Sequence, residues 1–175
     1  MSTLSVNEIQ TTLGKPILNS TGSILQVVYA NTGFNRQTIT SASPTAVTGL
    51  SVTITPTSST SKIIIDGNLR GSYTYVASFT LYRNGSPLIS NHGGNSQTGT
   101  GPIADYTQYE GTSGANYMHS NSFLFEDSPG STSPQTYQIY ANAGWAGSVQ
   151  TFYINDRNTS DMLSRSHIRA MEVVA

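Results

Sequence analysis

The chain has 175 residues, of which 10% are charged, a formal net charge of −1 and no cysteine. That length gives room for one domain with a core, plus an appendage. The charge balance excludes a basic field for nucleic acid or an anionic membrane, and the lack of cysteine excludes disulfides and thiolate metal sites.

Hydrophobic residues make up 36% of the chain, and Ser, Thr, Asn and Gly fill the remainder. This composition suits an all-β protein with long polar loops, because a disordered chain of low hydrophobicity would carry a high net charge. No run of about 20 apolar residues is present to cross a membrane as a helix. The start of the sequence has neither the basic end nor the apolar centre of a signal peptide. The expectation is a protein made in a cytosol and released by cell lysis.

Residues 1–28 read MSTLSVNEIQTTLGKPILNSTGSILQVV. Apolar Leu4, Val6, Ile9, Leu13, Ile17 and Leu18 are scattered among small polar residues, at spacings that fit neither a helix nor a strand. Fixing each backbone residue costs about 1–2 kcal/mol, so such a segment needs a partner surface to become ordered. It is read as an assembly arm, with Leu4, Val6, Ile9, Ile17 and Leu18 as its docking residues. Residues 29–175 are read as the domain.

Strand and turn signals then alternate. Residues 23–29 (SILQVVY) either end the arm or open the domain. Residues 36–42 (RQTITSA) form a weaker strand. Residues 50–55 (LSVTIT) put Leu50, Val52 and Ile54 on one face, with Pro56 and a Ser/Thr run as the turn. Residues 62–69 (KIIIDGNL) hold a continuous Ile63, Ile64, Ile65 run, which predicts a strand covered on both faces. In residues 78–83 (SFTLYR), Phe79 and Leu81 point inward and Thr80 and Tyr82 outward. Asn84-Gly85 predicts a type I′ hairpin turn, and Pro87 places the return strand on an edge.

Residues 90–117 interrupt the pattern with a Gly/Ser/Thr/Asn-rich excursion. Strands resume at 121–126 (NSFLFE), 135–142 (QTYQIYAN), 149–155 (VQTFYIN) and 167–174 (HIRAMEVV). About eight to ten strands at hairpin-like spacing predict an all-β, jelly-roll-like antiparallel β-sandwich with an extended N-terminal arm. Few charges remain to protect sheet edges, which favours a closed homo-oligomer.

Signals for chemistry are sparse. His92, His119 and His167 have no metal-ligand spacing and read as surface or interface histidines. Asp105 and Glu110, near tyrosines, are the only candidates for a glycosidase pair. Asp156-x-Asn158-x-x-Asp161 carries oxygen ligands that a loop calcium site uses, without the spacing of an EF-hand; an Asx-rich turn accounts for the same residues. No nucleophile elbow, P-loop or dinucleotide fingerprint is present, so no catalytic residue, cofactor or metal is expected. Of ten tyrosines, Tyr73, Tyr75, Tyr106, Tyr109 and Tyr117 fall in polar stretches. Tyr106, Tyr109 and Tyr117 are candidate contacts to a host surface glycan or protein, although tyrosines also pack across sheets with the hydroxyl at the rim. Tyr137, Tyr140 and Tyr153 read as structural.

Five blocks carry a resemblance: the opening residues 1–28, VTGLSVTITPTSSTSKIII, FTLYRNGSPL, FEDSPGSTSPQTYQIYA and the terminal IRAMEVVA. Together they resemble small tail fibre-like or structural virion proteins of marine tailed bacteriophages, of the cyanophage and pelagiphage type. A fainter likeness is to the trimeric heads of the tumour-necrosis-factor and C1q type. The resemblance implies a homotrimer of jelly-roll-like heads, used as a fibre or capsid-decoration module and anchored through the arm to another virion protein of the capsid or tail. Two alternatives remain open at this point: a receptor-binding adhesin using the tyrosine-bearing loops, and a polysaccharide-degrading enzyme.

Overall fold

A computed structural model describes residues 20–73, 77–88, 117–145, 148–159 and 161–175. Eleven strands and no helix occur among them: β1 (Ile24–Asn31), β2 (Gln37–Ile39), β3 (Thr45–Ile54), β4 (Lys62–Tyr73), β5 (Ala77–Arg83), β6 (Ser86–Pro87), β7 (His119–Asp127), β8 (Gln135–Trp145), β9 (Ser148–Val149), β10 (Phe152–Ile154) and β11 (His167–Val173).

The strands form two antiparallel sheets. Strand β4 is long enough to take two partners in line on one edge. It pairs with β11 over Lys62 to Asn68 and with β10 over Gly71 to Tyr73, while β7 pairs along its other edge. The first sheet therefore runs β1-β11-β4-β7, with β10 and β2 extending one end. The second runs β3-β8-β5-β6, with β9 against β8. From β1 through β3, β4, the β5–β6 hairpin, β7 and β8 to β11, the chain alternates between the sheets as a jelly roll does. The predicted all-β jelly-roll sandwich is the observed fold.

Alternation creates the core. Ile63, Ile65, Leu69, Phe123, Ile168 and Ala170 face Val52, Ile54, Phe79, Leu81, Tyr137 and Ile139, all of them buried. Two glycines let the strands of the first sheet close up. A Cβ on Gly67 would strike the His167 carbonyl oxygen and the Phe123 ring, and one on Gly71 the Tyr153 carbonyl oxygen. In β3 the register slips between Ala46 and Ser51. Gly49 absorbs the bulge at φ +82°, with Thr32 Cα only 3.3 Å from where its Cβ would stand.

The Asn-Gly hairpin is present. Asn84 and Gly85 take φ of 51° and 80°, Arg83 faces Ser86, and β6 with Pro87 lies at the sheet edge. Asn84 also ties in β8: its amide donates to Gln135 Oε1, and its carbonyl accepts from Thr136 N, both at 2.9 Å.

Four expectations are corrected. Thr80 does not point outward: β5 is buried on both faces, with Ser78 and Thr80 buried beside Phe79 and Leu81. Ile64, between two fully buried isoleucines, is only half-buried. Tyr73 is not a loop residue: β4 continues to it, and its ring is 1% exposed, 4.5 Å from the His119 ring and edge-on to Phe152. Residues 24–28 belong to the sheet, because β1 pairs with β11 from Ile24 onward; a turn over residues 20–23 leads into it, closed by Ser23 N donating to Ser20 O.

One buried carboxylate seals an end of the sandwich. Glu172, fully buried, points inward from β11. It accepts from Gln26 Nε2 (2.6 Å), Thr57 N (2.6 Å), Thr57 Oγ1 (2.7 Å) and Ser61 Oγ (2.7 Å). Burial alone would raise its pKa; the donated hydrogen bonds outweigh that and hold it at about 2, below its ordinary 4.5. Near the β5–β6 hairpin, Arg83 bonds both oxygens of Asp127. Burial and a hydrogen bond donated to Asp127 then push the Tyr137 hydroxyl well above its ordinary range.

Candidate functional site

The outer face of the first sheet is apolar where a solvated face would be polar. In β1 the register slips between Ile24 and Gln26. Gln26 thus turns inward to Glu172, while Ile24 and Val27 both project outward. Val27 lies across from Met171, and Met171 from Ile64. The next row runs Tyr29, Arg169, Asp66, Leu124. Ile24, Val27, Tyr29 and Leu124 are 57%, 53%, 59% and 74% exposed. The charges on this face neutralise one another. Arg169 bonds Asp66 through Nε (3.0 Å) and Nη2 (2.8 Å), and Lys62 meets Glu126 at 2.6 Å. Among the described residues β1 pairs only with β11 and β7 only with β4, so this apolar face is flanked by two strand edges.

A second surface lies at the far end of β4. A cleft of about 360 Å³ is lined by Arg70, Met118, His119, Ser120, Met162, Leu163 and Ser164. These come from three separate stretches of chain, and buried Asn155 brings two of them together. Asn155 sits at φ 60°. Its N–H donates to Arg70 O (2.8 Å), and its carbonyl accepts from Ser164 N (3.0 Å). Its side chain accepts from Ser166 Oγ (2.7 Å) and donates to Asn35 O (2.7 Å). Ser166 Oγ in turn accepts from Arg70 N.

The cleft mixes polar and apolar groups. Ser120 Oγ shares hydrogen bonds with Asn68, and Ser164 Oγ is buried without a partner. Arg70 Nε donates to Asn68 Oδ1 at 3.2 Å. Arg36, Lys62, Arg83, Arg157 and Arg169 each have a carboxylate partner and Arg165 lies over the Phe34 ring; Arg70 has neither among the described residues. Met162 and Leu163, 46% and 52% exposed, form the apolar rim.

The sequence-derived candidates are distributed as follows. Leu4, Val6, Ile9, Ile17 and Leu18 of the arm lie outside the described residues, as do His92, Asp105, Tyr106, Tyr109 and Glu110. Tyr117 is 59% exposed and immediately precedes Met118 of the cleft. The calcium candidates are engaged by other partners. Asp156 Oδ2 meets Arg36 Nε at 2.8 Å, and Asn158 accepts from the Tyr153 hydroxyl at 2.8 Å. Asp161 is bound by Arg157 and Thr159, which hold its carboxyl well below the usual range. Among the described residues no three His, Asp or Glu side chains converge as a metal site would require. His119 stacks on Tyr73 and His167 on Tyr29. Tyr137 lies in the core and Tyr140 stacks on Tyr82 at 3.9 Å.

Sequence reasoning missed the outer face and the cleft. The outer face left a trace: ILQVVYAN carries apolar residues on both parities, and Leu124 sits out of phase between Phe123 and Phe125. The cleft left none, because its residues meet only through the fold.

No family model and no curated protein matches the chain. Among solved structures it is similar to infectious bursal disease virus, Gx strain, and to the VP2 subviral particle of infectious bursal disease virus. Each match has 12% identity and a TM-score of 0.41, covering 98% of this chain and 42% of the other. This chain thus spans about two fifths of the length of those it matches.

Proposed function

We propose that this chain is a non-enzymatic virion structural module: a jelly-roll domain that associates with copies of itself, as a homotrimer, and is mounted on a particle by its N-terminal arm. The observation that carries the reading is the outer face of the first sheet. Four large apolar side chains stand more than half exposed there, between two strand edges with no further partner among the described residues and among charges already paired with one another. An apolar face of that kind on a charge-poor protein favours association, and a second copy meets no net charge as it approaches. The resemblance of five sequence blocks to phage virion proteins supports the same reading and supplies the trimer.

The arm carries the attachment half of the proposal. Deletion of residues 2–19 spares the turn over residues 20–23 and the bond from Gly22 N to Val174 O. The truncated chain is expected to fold and to self-associate, and to be absent from assembled particles by mass spectrometry. Normal incorporation of the truncated chain contradicts the arm's role.

A second reading, contact with a host surface receptor, is favoured by one observation. Exposed Tyr117 adjoins a cleft that carries a cation with no carboxylate partner among the described residues.

A further inference from the structure

We infer that the cleft at the end of β4 binds a sugar carrying a single anionic group, a carboxylate or a sulfate, with Arg70 as the residue that pairs with the anion. The assignment gives the receptor-contact reading its ligand class and rests on that reading for its biological use. Its chemistry stands apart from the assembly role.

The chain has eight Lys and Arg in all; five of those described are paired with carboxylates, and Arg165 lies over the Phe34 ring at 3.9 Å. Arg70 lines a concave site and has no such partner. Its side-chain hydrogen bond among the described residues, Nε to Asn68, orients the guanidinium and leaves its two terminal nitrogens to donate. A guanidinium presented this way pairs with a carboxylate or sulfate in a bidentate fashion. A single cation matches a single negative charge, which separates this site from the multi-cation tracks that follow a nucleic-acid backbone.

The remaining groups select a sugar over a bare ion. The cleft volume of about 360 Å³ lies near the lower end of the range for small-ligand sites, about 300–1,000 Å³. Ser120, exposed at the cleft, offers its hydroxyl to a ligand hydroxyl. Met118, Met162 and Leu163 supply an apolar wall for the C–H face of a pyranose ring, with Tyr117 beside it. Asn155 holds Arg70 and Ser164 at fixed separation through main-chain hydrogen bonds, so the site is formed before any ligand arrives.

The test titrates the intact chain with galacturonate, galactose 6-sulfate and neutral maltotriose, each anionic probe carrying one negative group, followed by amide chemical shifts. One of the two anionic probes is expected to bind at least about tenfold more tightly than maltotriose, and which one identifies the anion. Arg70→Gln is expected to weaken that binding at least about tenfold, and Arg70→Lys to retain part of it. Lys62→Gln, at the opposite end of the same strand, should leave it unchanged. Unfolding curves of Arg70→Gln confirm that its β-sandwich is intact, since Arg70 is exposed and its main-chain bonds remain. Equal binding of maltotriose, equal binding by Arg70→Gln, or no binding of either anionic probe at about 10 mM overturns the assignment. Adsorption of particles carrying Arg70→Gln is scored separately. Unchanged adsorption with sugar binding lost contradicts the receptor-contact reading and leaves the cleft's chemistry standing.

Discussion

Glu172 shows how one residue decides whether two sheets stay closed at their end. Its carboxylate joins β11, β1 and the loop after β3, through four donated hydrogen bonds in a fully buried position. Its folded pKa, about 2, lies below its ordinary 4.5. Between those values the unfolded chain binds more protons, so stability rises with pH through that window. The contribution is fully present above pH 4.5 and is lost as pH falls towards 2. Glu172→Gln is expected to cost about 2–3 kcal/mol at pH 7 in urea unfolding, since an amide cannot accept at both ends. It should also flatten the acid limb of the stability curve; an unchanged acid limb would show that the carboxylate is not ionised in the fold. Gly71 makes a different demand: a Cβ there meets a backbone carbonyl of the adjoining strand. Gly71→Ala should therefore cost about 3 kcal/mol by the same assay, and a melt equal to the parent's would contradict the close approach. Neither demand was legible in the sequence. Glu172 is one acid in a terminal strand, and Gly71 reads like any other glycine; the partners of both come from distant segments.

At the scale of elements, much more was legible. Strict alternation in LSVTIT and QTYQIYAN located β3 and β8 and their inward faces, because a half-buried strand must repeat with period two; SFTLYR located β5, but its Thr80 is buried as well. The Asn84-Gly85 turn was readable from two residues, since only such pairs take positive φ cheaply. Asn84→Ala should cost about 2 kcal/mol by chemical denaturation, as the left-handed conformation becomes strained and two cross-strand hydrogen bonds to β8 disappear. A loss confined to a few tenths of a kcal/mol would mean that the turn is not under that strain. The short strands β2, β9 and β10 were harder. Two or three residues carry no period, and their place is set by neighbours such as Gly71 to Tyr73 of β4. The Ile63, Ile64, Ile65 run misled for a related reason. A run of isoleucines gives the same apolar signal whether its middle residue meets a second layer or, as Ile64 does, Met171 on an outer face.

At the scale of the whole molecule, the jelly roll is an efficient way for a charge-poor chain to hide its core, and it leaves one face open. The outer rows, Val27 with Met171 and Ile64, and Tyr29 with Arg169, Asp66 and Leu124, were half visible in the sequence, as apolar residues on the wrong parity. Their convergence was not, because it requires the strand order β1-β11-β4-β7. The cleft at the other end of β4 depends on the left-handed Asn155 and was invisible. On the proposed reading, self-association belongs to the open face, attachment to the arm and any sugar contact to the cleft, so the three can fail independently. Its central claim is association through the open face, and sedimentation velocity of the intact chain tests it most directly. The prediction is a species of three times the 18.7 kDa chain mass, converted to a single-chain species by Val27→Glu with Leu124→Glu while the β-sheet circular dichroism is retained. An intact chain that sediments at one chain mass across the micromolar range, or a doubly substituted chain that still sediments as a trimer, contradicts it.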